Sequence, residues 1–329
     1  MGPVTFKRNW EKTDQRFQID EQAIRSMIGL GTPSSQYRSH QVVSGGCANL
    51  NIKVQLEEQE APVILRIYLR DHKAALREQR LAELLYGNVP VPVVHFVGEC
   101  AGQTFAIMEY KSGITLRDYL LDRDRKDMAT LMEEAGSILA KIHRFHFERS
   151  GFLDENLSIS QPIDREGYTA FAKGCLKHPT VRSKIDEAQI GEIGRHFKRF
   201  AKFLPGAEEC CLVHADYDPA NILIDCQNGR WGITAILDWE FAFSGSPLCD
   251  VANMLRYSHH MPEAFEEGFL NSLRIAGTEL PEGWRISVHL LNLLSLLDCL
   301  VRCPPSERPN QCADICDLIG HINQWLVNA

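Results

Sequence analysis

No stretch of this 329-residue chain stays apolar for the ~18 residues that a membrane helix needs. The longest oily run, His289 to Val301, is interrupted by Asn292, Ser295 and Asp298. The first thirty residues are polar and lack a signal-peptide core, so a cytoplasmic chain that makes no use of a membrane is expected. Basic residues are not in excess: 35 Lys and Arg face 43 Asp and Glu, a net charge of −8. That balance speaks against a nucleic-acid surface, and no nucleic-acid partner is expected. Internal repeats and low-complexity linkers are also missing. Eleven cysteines are plentiful, but no short C-x2-C knuckle accompanies them. They read as reduced, buried small hydrophobes.

With 44% hydrophobic and 24% charged residues the composition is that of a folded chain, not a disordered one. Its length suits about two domains at ~150 residues each. The charge is uneven: residues 1–110 hold 12 basic and 12 acidic side chains, and residues 111–329 hold 23 and 31. The acidic excess suits a neutral or cationic ligand in the larger part, or simply a solvated surface.

From Gln41 to Tyr110 the pattern is strand-like. LNIKVQL (50–56) alternates at period two, and PVILRIY (62–68) is a β-branched run. VPVPVVHFV and QTFAIMEY flank a GECAG turn, and one helical stretch spans 72–86. After Ser112-Gly113 the spacing becomes helical. Leu131, Ala135, Ile138, Leu139, Ile142 and Phe145 form one stripe, and helices are predicted over 249–258, 262–275, 284–303 and 311–327. Short strands return at 222–225 and 233–237. The pattern predicts an α+β protein with a β-rich lobe over 1–112, a mainly helical lobe over 113–329, and a cleft between them.

The chemistry concentrates in VHADYDPANILID (213–225) and ITAILDWE (233–240). Asp216 stands five residues before Asn221 in a Pro-containing loop, and Asp238 follows the next strand. Phosphoryl transfer needs one carboxylate to orient an incoming hydroxyl, and an amide oxygen plus a second carboxylate to hold Mg²⁺. Arg66, in the middle of an apolar strand, needs an anion. Glu78 shares an inward helix stripe with Ala74, Leu81 and Leu85, so the two are expected to pair. Either they form a purely structural ion pair, or Arg66 also reaches phosphate oxygens. Lys53 has the opposite parity to Ile52 and Val54 and is expected in solvent, with Val54 free to cover an adenine. In Ser44-Gly45-Gly46-Cys47-Ala48-Asn49 the glycines admit either an ordinary turn or a backbone cradle for phosphate.

HADYDPANILID…AILDWE resembles the signature of the aminoglycoside phosphotransferase and choline kinase group, small-molecule relatives of protein kinases. SGGCANLNIKV, VILRIY with LREQRLAELL, VPVPVV, IMEYKSG, ILAKIH and PLCDVANML are similar to further landmarks of that group, over about residues 40–260. The resemblance implies a two-lobed kinase-like fold and an ATP-dependent phosphotransferase for the hydroxyl of a small molecule, with GTP not excluded. It implies Asp216 as the catalytic base, Asn221 and Asp238 as Mg²⁺ ligands, and Arg66, positioned by Glu78, on the phosphates. Gly45, Gly46 and Asn49 would lie over the triphosphate, and Glu109 and Tyr110 at the adenine edge. The group's usual lysine is replaced by Arg66, which keeps its charge but is bulkier. Asp250 resembles a structural carboxylate. Asp218, where protein kinases carry a basic or small residue, reads as an Asx-turn or as a group attending a cationic acceptor. Asp298 interrupts an apolar helix and is the leading acidic candidate on the acceptor side. Cys299, Cys303, Cys312 and Cys316 read as a core stripe before a zinc site. A nucleotide-binding pseudoenzyme of the same fold, or a protein-interaction module without turnover, are the rival readings.

Overall fold

The computed structural model describes residues 4–12, 19–43, 49–57, 59–122, 124–303 and 306–329. Five antiparallel strands, β1 (Tyr37–Val43), β2 (Leu50–Leu56), β3 (Val63–Ile67), β4 (Val94–Cys100) and β5 (Gln103–Glu109), form a sheet in the order β1-β2-β3-β5-β4. Alternation in β2 buries Leu50, Ile52, Val54 and Leu56 on one face. Val63, Leu65 and Ile67 of β3 join them, because directly paired residues of antiparallel strands share a face. A helix absent from the sequence expectations, α1 (Glu21–Gly31), closes that face with Ile24, Met27 and Ile28. Asn51 pairs with Arg66 and Lys53 with Ile64, so these four share the opposite face. There Tyr68 packs against Ala74 and Ala75 of α2 (Ala74–Leu85). Ala101 and Gly102, at φ 51° and 77°, close the β4–β5 hairpin as a tight two-residue turn.

Gly113 marks the passage to the second lobe. Its φ is 129°, and a Cβ there would lie 2.4 Å from the Ile224 carbonyl oxygen, so only glycine fits. The chain continues through β6 (Ile114–Thr115), α3 (Leu116–Asp122) and α4 (Met128–Ile142). Next come β7 (Gly151–Leu153), β8 (Ile159–Pro162), α5 (Arg165–Lys177), α6 (Pro179–Arg182), α7 (Glu187–Arg199) and β9 (Cys211–Val213). A hairpin of β10 (Ile222–Gln227) and β11 (Arg230–Ile236) leads to β12 (Phe243–Gly245), α8 (Leu248–Leu255), α9 (Glu263–Ile275), α10 (Trp284–Val301) and α11 (Pro309–Val327). The strands assort into two small sheets, β11-β10-β6 and β8-β7-β12-β9. Strands of two to four residues are too short to show a period, which is why β7, β8, β9 and β12 were not expected.

The predicted helical stripes pack as one core. In α11, Ile315, Leu318, Ile319, Ile322 and Leu326 are all buried. α4 and α9 cross closely: a Cβ on Gly136 would stand 2.3 Å from the Phe269 carbonyl oxygen, and one on Gly268 would stand 2.9 Å from that of Ala129. By length and composition α10 could cross a membrane, with a mean hydropathy of 1.4. Here it packs against α5, α6, α8 and α11 and serves as the central core helix.

Candidate active site

Asn228 and Gly229, at φ 53° and 78°, close the β10–β11 hairpin in the same two-residue manner. Pairing of Ile222 with Ile236 then brings the residues just outside the ladder, Asn221 and Leu237-Asp238, side by side. The Leu237 N–H donates to the Asn221 carbonyl at 2.8 Å. Asn221 Nδ2 donates to Asp216 Oδ2 at 2.8 Å and to the Asp216 carbonyl at 2.9 Å. That leaves its amide oxygen as the group for a cation. Three residues from two loops thus converge because a hairpin register aligns them.

Two of these positions are strained. Ala215 and Asp238 both sit at φ 69°, which costs about 1–2 kcal/mol for a residue with a Cβ. The fully buried Asp250 holds the first, accepting the N–H groups of His214 and Ala215 at 2.9 Å each. His143 Nε2 lies 3.1 Å from the same carboxylate. His214 accepts the Asp216 N–H at Nδ1 and so donates from Nε2 to the Leu237 carbonyl at 2.9 Å. Its ring is committed to backbone and is not a base.

Arg66 enters from β3. Its Nη2 pairs with Asp238, with Glu78 Oε1 at 3.2 Å and with Glu240 Oε1 at 3.8 Å. Tyr68 donates to Glu78 Oε2 at 2.5 Å. Burial, reinforced by the neighbouring Asp238 carboxylate, pushes Glu240 up to about 8. One guanidinium serves three carboxyl groups, and burial favours the protonated form of Glu240. Beyond these ion pairs with Arg66, the buried Glu78 Oε1 and Glu240 Oε1 have no hydrogen-bond partner among the described residues. The hard oxygen donors of Asp238 and the Asn221 amide, side by side at the hairpin end, fit a divalent cation such as Mg²⁺. Glu240 is a member of this cluster that the sequence reading passed over, although it follows Asp238 by two.

The remaining expected site residues fall as follows. Gly45 and Gly46 lie outside the described residues. Asn49 is buried and its side chain is already committed, donating to Glu240 Oε2 at 3.0 Å and accepting the Leu69 N–H at 3.3 Å. The Glu109 N–H is spent on the Val93 carbonyl at 2.8 Å, so it is not the donor for a base edge. The Glu109 carboxylate accepts from Val93 N and Lys111. Tyr110 carries Lys53 over its ring at 4.2 Å.

Four expectations need correction or closer definition. Lys53 shares the Arg66 face instead of facing open solvent, because α1 covers the other side. Val54, for the same reason, is buried under α1 and does not line the cleft. Asp298 pairs with Arg302, the residue just past the end of α10. Cys303 and Cys312 meet at 3.0 Å across the α10–α11 turn, but among the described residues the four cysteines do not gather into a zinc-holding group.

The first dozen residues supply what the sequence gave no sign of. Lys7 Nζ lies 2.6 Å from Asp216 Oδ1 and also pairs with Asp218 Oδ2, with the Lys7 side chain only 12% exposed. Asp218 meanwhile accepts the Ala220 N–H at 2.8 Å, the expected Asx-turn. Burial raises the Asp216 pKa, but the Lys7 ammonium outweighs it and holds the carboxyl below its usual range. For Asp218 burial prevails and the shift is upward.

Phe6 beside Lys7 packs on Tyr257 and Phe265 at ring distances of 5.1 and 6.1 Å. Asp314 Oδ2 gathers Thr5 Oγ1, Trp10 Nε1 and the Tyr257 hydroxyl at 3.1, 2.7 and 2.6 Å. Arg8 forms a two-point pair with Asp122 at 2.6 Å. Phe6 and Lys7 are both left-handed, at φ 43° and 65°. Burying Phe6 and Trp10, at about 2–3 kcal/mol each, together with these hydrogen bonds, outweighs that strain of about 1–2 kcal/mol per residue. The segment is anchored.

Residues 39–285 match the family described as the phosphotransferase enzyme family. Among solved structures, the chain is similar to a thermostable mutant of aminoglycoside phosphotransferase APH(4)-Ia in complex with ADP and hygromycin B. That likeness has a TM-score of 0.71 and 19% identity, over 92% of this chain and 98% of that chain. It is also similar to a GDP and kanamycin complex of APH(2")-IIia, with a TM-score of 0.69 and 17% identity, over 91% and 97% of the two chains. These likenesses establish the two-lobed kinase-like fold. Acyl-CoA dehydrogenase family member 10 of Mus musculus is 27% identical over 197 residues, 57% of this chain and 17% of that protein. Family member 11 of Gallus gallus is 25% identical over 186 residues, 54% and 22%. The chain therefore spans about a fifth of the length of the curated relatives it matches.

Proposed function

The chain belongs to the phosphotransferase enzyme family, and from that premise we propose that it transfers the γ-phosphoryl group of ATP to the hydroxyl of a small molecule. GTP would meet the same side chains. Structures of the same fold that hold ADP or GDP support a nucleotide in this cleft.

Asp216 accepts a hydrogen bond from the acceptor hydroxyl, aims its oxygen at the γ-phosphorus and takes the proton as the new O–P bond forms. Asn221 keeps that carboxylate turned into the cleft through its two donations. Arg66 turns from Asp238 toward phosphate oxygens, while Glu78, steadied by Tyr68, holds it in reach. Asn221 and Asp238, backed by Glu240, would hold Mg²⁺, whose charge offsets that of the triphosphate. Glu109 and Tyr110 would border the base, and Asn49 would stand on the side of the phosphates.

The observation that carries this reading is the convergence of Asp216, Asn221, Asp238 and Arg66 from three separate segments. The test is Mg²⁺-dependent ADP release and phosphorylated product, by mass spectrometry, over a panel of sugars, diols, hydroxy acids and amino alcohols. Asp216→Asn should lower turnover by at least about 100-fold. MgATP at ~100 times its dissociation constant should add about 2.7 kcal/mol of stability. Absence of both product and stabilisation would sink the assignment.

A further inference from the structure

Asp216 is expected to receive the acceptor, yet the carboxylate pair it forms with Asp218 already has a cation. Lys7 Nζ is bonded to both, and its side chain and that of Asp218 are almost wholly enclosed. A third charged residue reinforces it. Arg256 is buried and, among the described residues, hydrogen-bonded to neutral groups: Asn253 Oδ1 at 2.5 Å, Asn292 Oδ1 at 3.0 Å and Ser295 Oγ at 2.9 Å. Its positive charge therefore bears on Asp216 and Asp218 through space, as does that of Lys7. Two carboxylates face two cations before any substrate arrives.

Lys7 belongs to a segment that cannot leave cheaply. Phe6 and Trp10 are buried, Asp314 ties Thr5 and Trp10 to Tyr257, and the Glu11 carboxylate accepts the N–H groups of Asn310 and Gln311 at the start of α11. A displaceable strap would not be built with an aromatic in the lobe's core. The segment also lies outside residues 39–285, the part that matches the family.

We propose that Lys7 is a resident of the acceptor side of this cleft, which permanently fills the Asp216–Asp218 slot and so sets the charge class of the acceptor. The site takes alcohols that are uncharged or anionic and discriminates against those bearing an ammonium group. An ammonium arriving beside Asp216 finds no unpaired carboxylate there and meets a like charge, whereas a hydroxy acid or a diol does not. This rests on the phosphotransfer reading for the word acceptor, but the filled slot itself does not.

Two measurements on the full chain separate these. Lys7→Ala removes a propylammonium's worth of side chain from the slot. Its melting temperature should fall, and propylammonium chloride should restore a substantial part of the loss, while propan-1-ol and sodium chloride at matched ionic strength should not. Wild type should show no comparable gain. An equal gain in wild type, or none in Lys7→Ala, overturns the proposal.

In the second measurement, kcat/KM with MgATP is compared for 3-aminopropan-1-ol, propane-1,3-diol and 3-hydroxypropanoate. Wild type should favour the diol and the acid by about tenfold or more, and Lys7→Met, which keeps the bulk without the charge, should shift that ratio toward the amine by a similar factor. A wild-type preference for the amine, or a ratio unmoved in Lys7→Met, overturns it. This arm still decides the matter if Lys7→Ala does not fold. Rescue by propylammonium without turnover on any acceptor would support the filled slot and count against phosphotransfer instead.

Discussion

The Asp250 carboxylate accepts the Ala215 N–H at 2.9 Å and thereby holds a left-handed residue one position before Asp216. Its other oxygen does the same for the His214 N–H. A fully buried group thus shapes the loop that carries Asp216. Asp250→Asn retains one acceptor oxygen and turns an NH₂ toward a donor. It should destabilise the chain by about 2–4 kcal/mol and weaken MgATP-dependent turnover, read by urea denaturation and a product assay on the folded fraction.

Arg66 is the sole cation bonded to Glu78, Asp238 and Glu240 among the described contacts. Arg66→Met leaves the buried Glu78 and Glu240 and the half-buried Asp238 without it and should cost about 3–5 kcal/mol. Arg66→Lys keeps the charge but loses the fork, and should fold better than the methionine variant. Denaturant midpoints and MgATP-induced thermal shifts on the pair distinguish the structural role from the nucleotide role. A structural ion pair alone predicts that Arg66→Lys keeps the full MgATP shift.

Gly136 allows α4 to approach the Phe269 carbonyl. Gly136→Ala forces a Cβ into a 2.3 Å contact with backbone that has no free direction to yield. A loss of about 1–3 kcal/mol is expected, seen as a lower melting temperature. Gly174→Ala, on α5 with nothing within 4 Å of the added carbon, should be neutral or stabilising.

A histidine group near α10 and α11 sets an acid limit. His259 stacks on His321 at 3.7 Å and lies 4.0 Å from His260, while His289 lies 4.0 Å from Trp325. Burial, then the neighbouring imidazoles, lowers His259 to about 3; burial with His321 and Arg285 lowers His289 to about 4. The unfolded chain takes up protons from about pH 6.5 downward, and the folded chain does so only near 3–4. Stability should therefore be full above that upper value and fall as pH drops through the interval. The slope should stay below the roughly 1.4 kcal/mol per group and pH unit of full linkage, since water reaches these rings. Denaturant midpoints at neutral and mildly acidic pH check this, and His289→Gln should flatten the slope.

Much of this was legible because it is local. β2 alternates, and α4 and α11 carry stripes, because each period reports which side is buried. Asp216, Asn221 and Asp238 were readable because a short loop and a two-residue hairpin leave little freedom in how they meet. Arg66 was expected to find Glu78, and does; that Asp238 and Glu240 would share it depended on how the lobes close. The parity of Lys53 was read correctly and its surroundings were not, since α1 takes the face that a lone sheet would have given to either side.

By itself, then, the order of residues determined the long strands of the first sheet, the helices from α8 onward with α2 and α4, the kinase-like family and the spacing of the loop that holds Asp216. Periodicity and short-range turns leave few alternatives at that scale. Folding alone decided that Lys7, 209 positions away, would neutralise that loop. No pattern in a polar N-terminal segment marks such a contact. It exists only because Phe6 and Trp10 found room among α9, α11 and Tyr257, and that packing fixes where the ammonium between them must point.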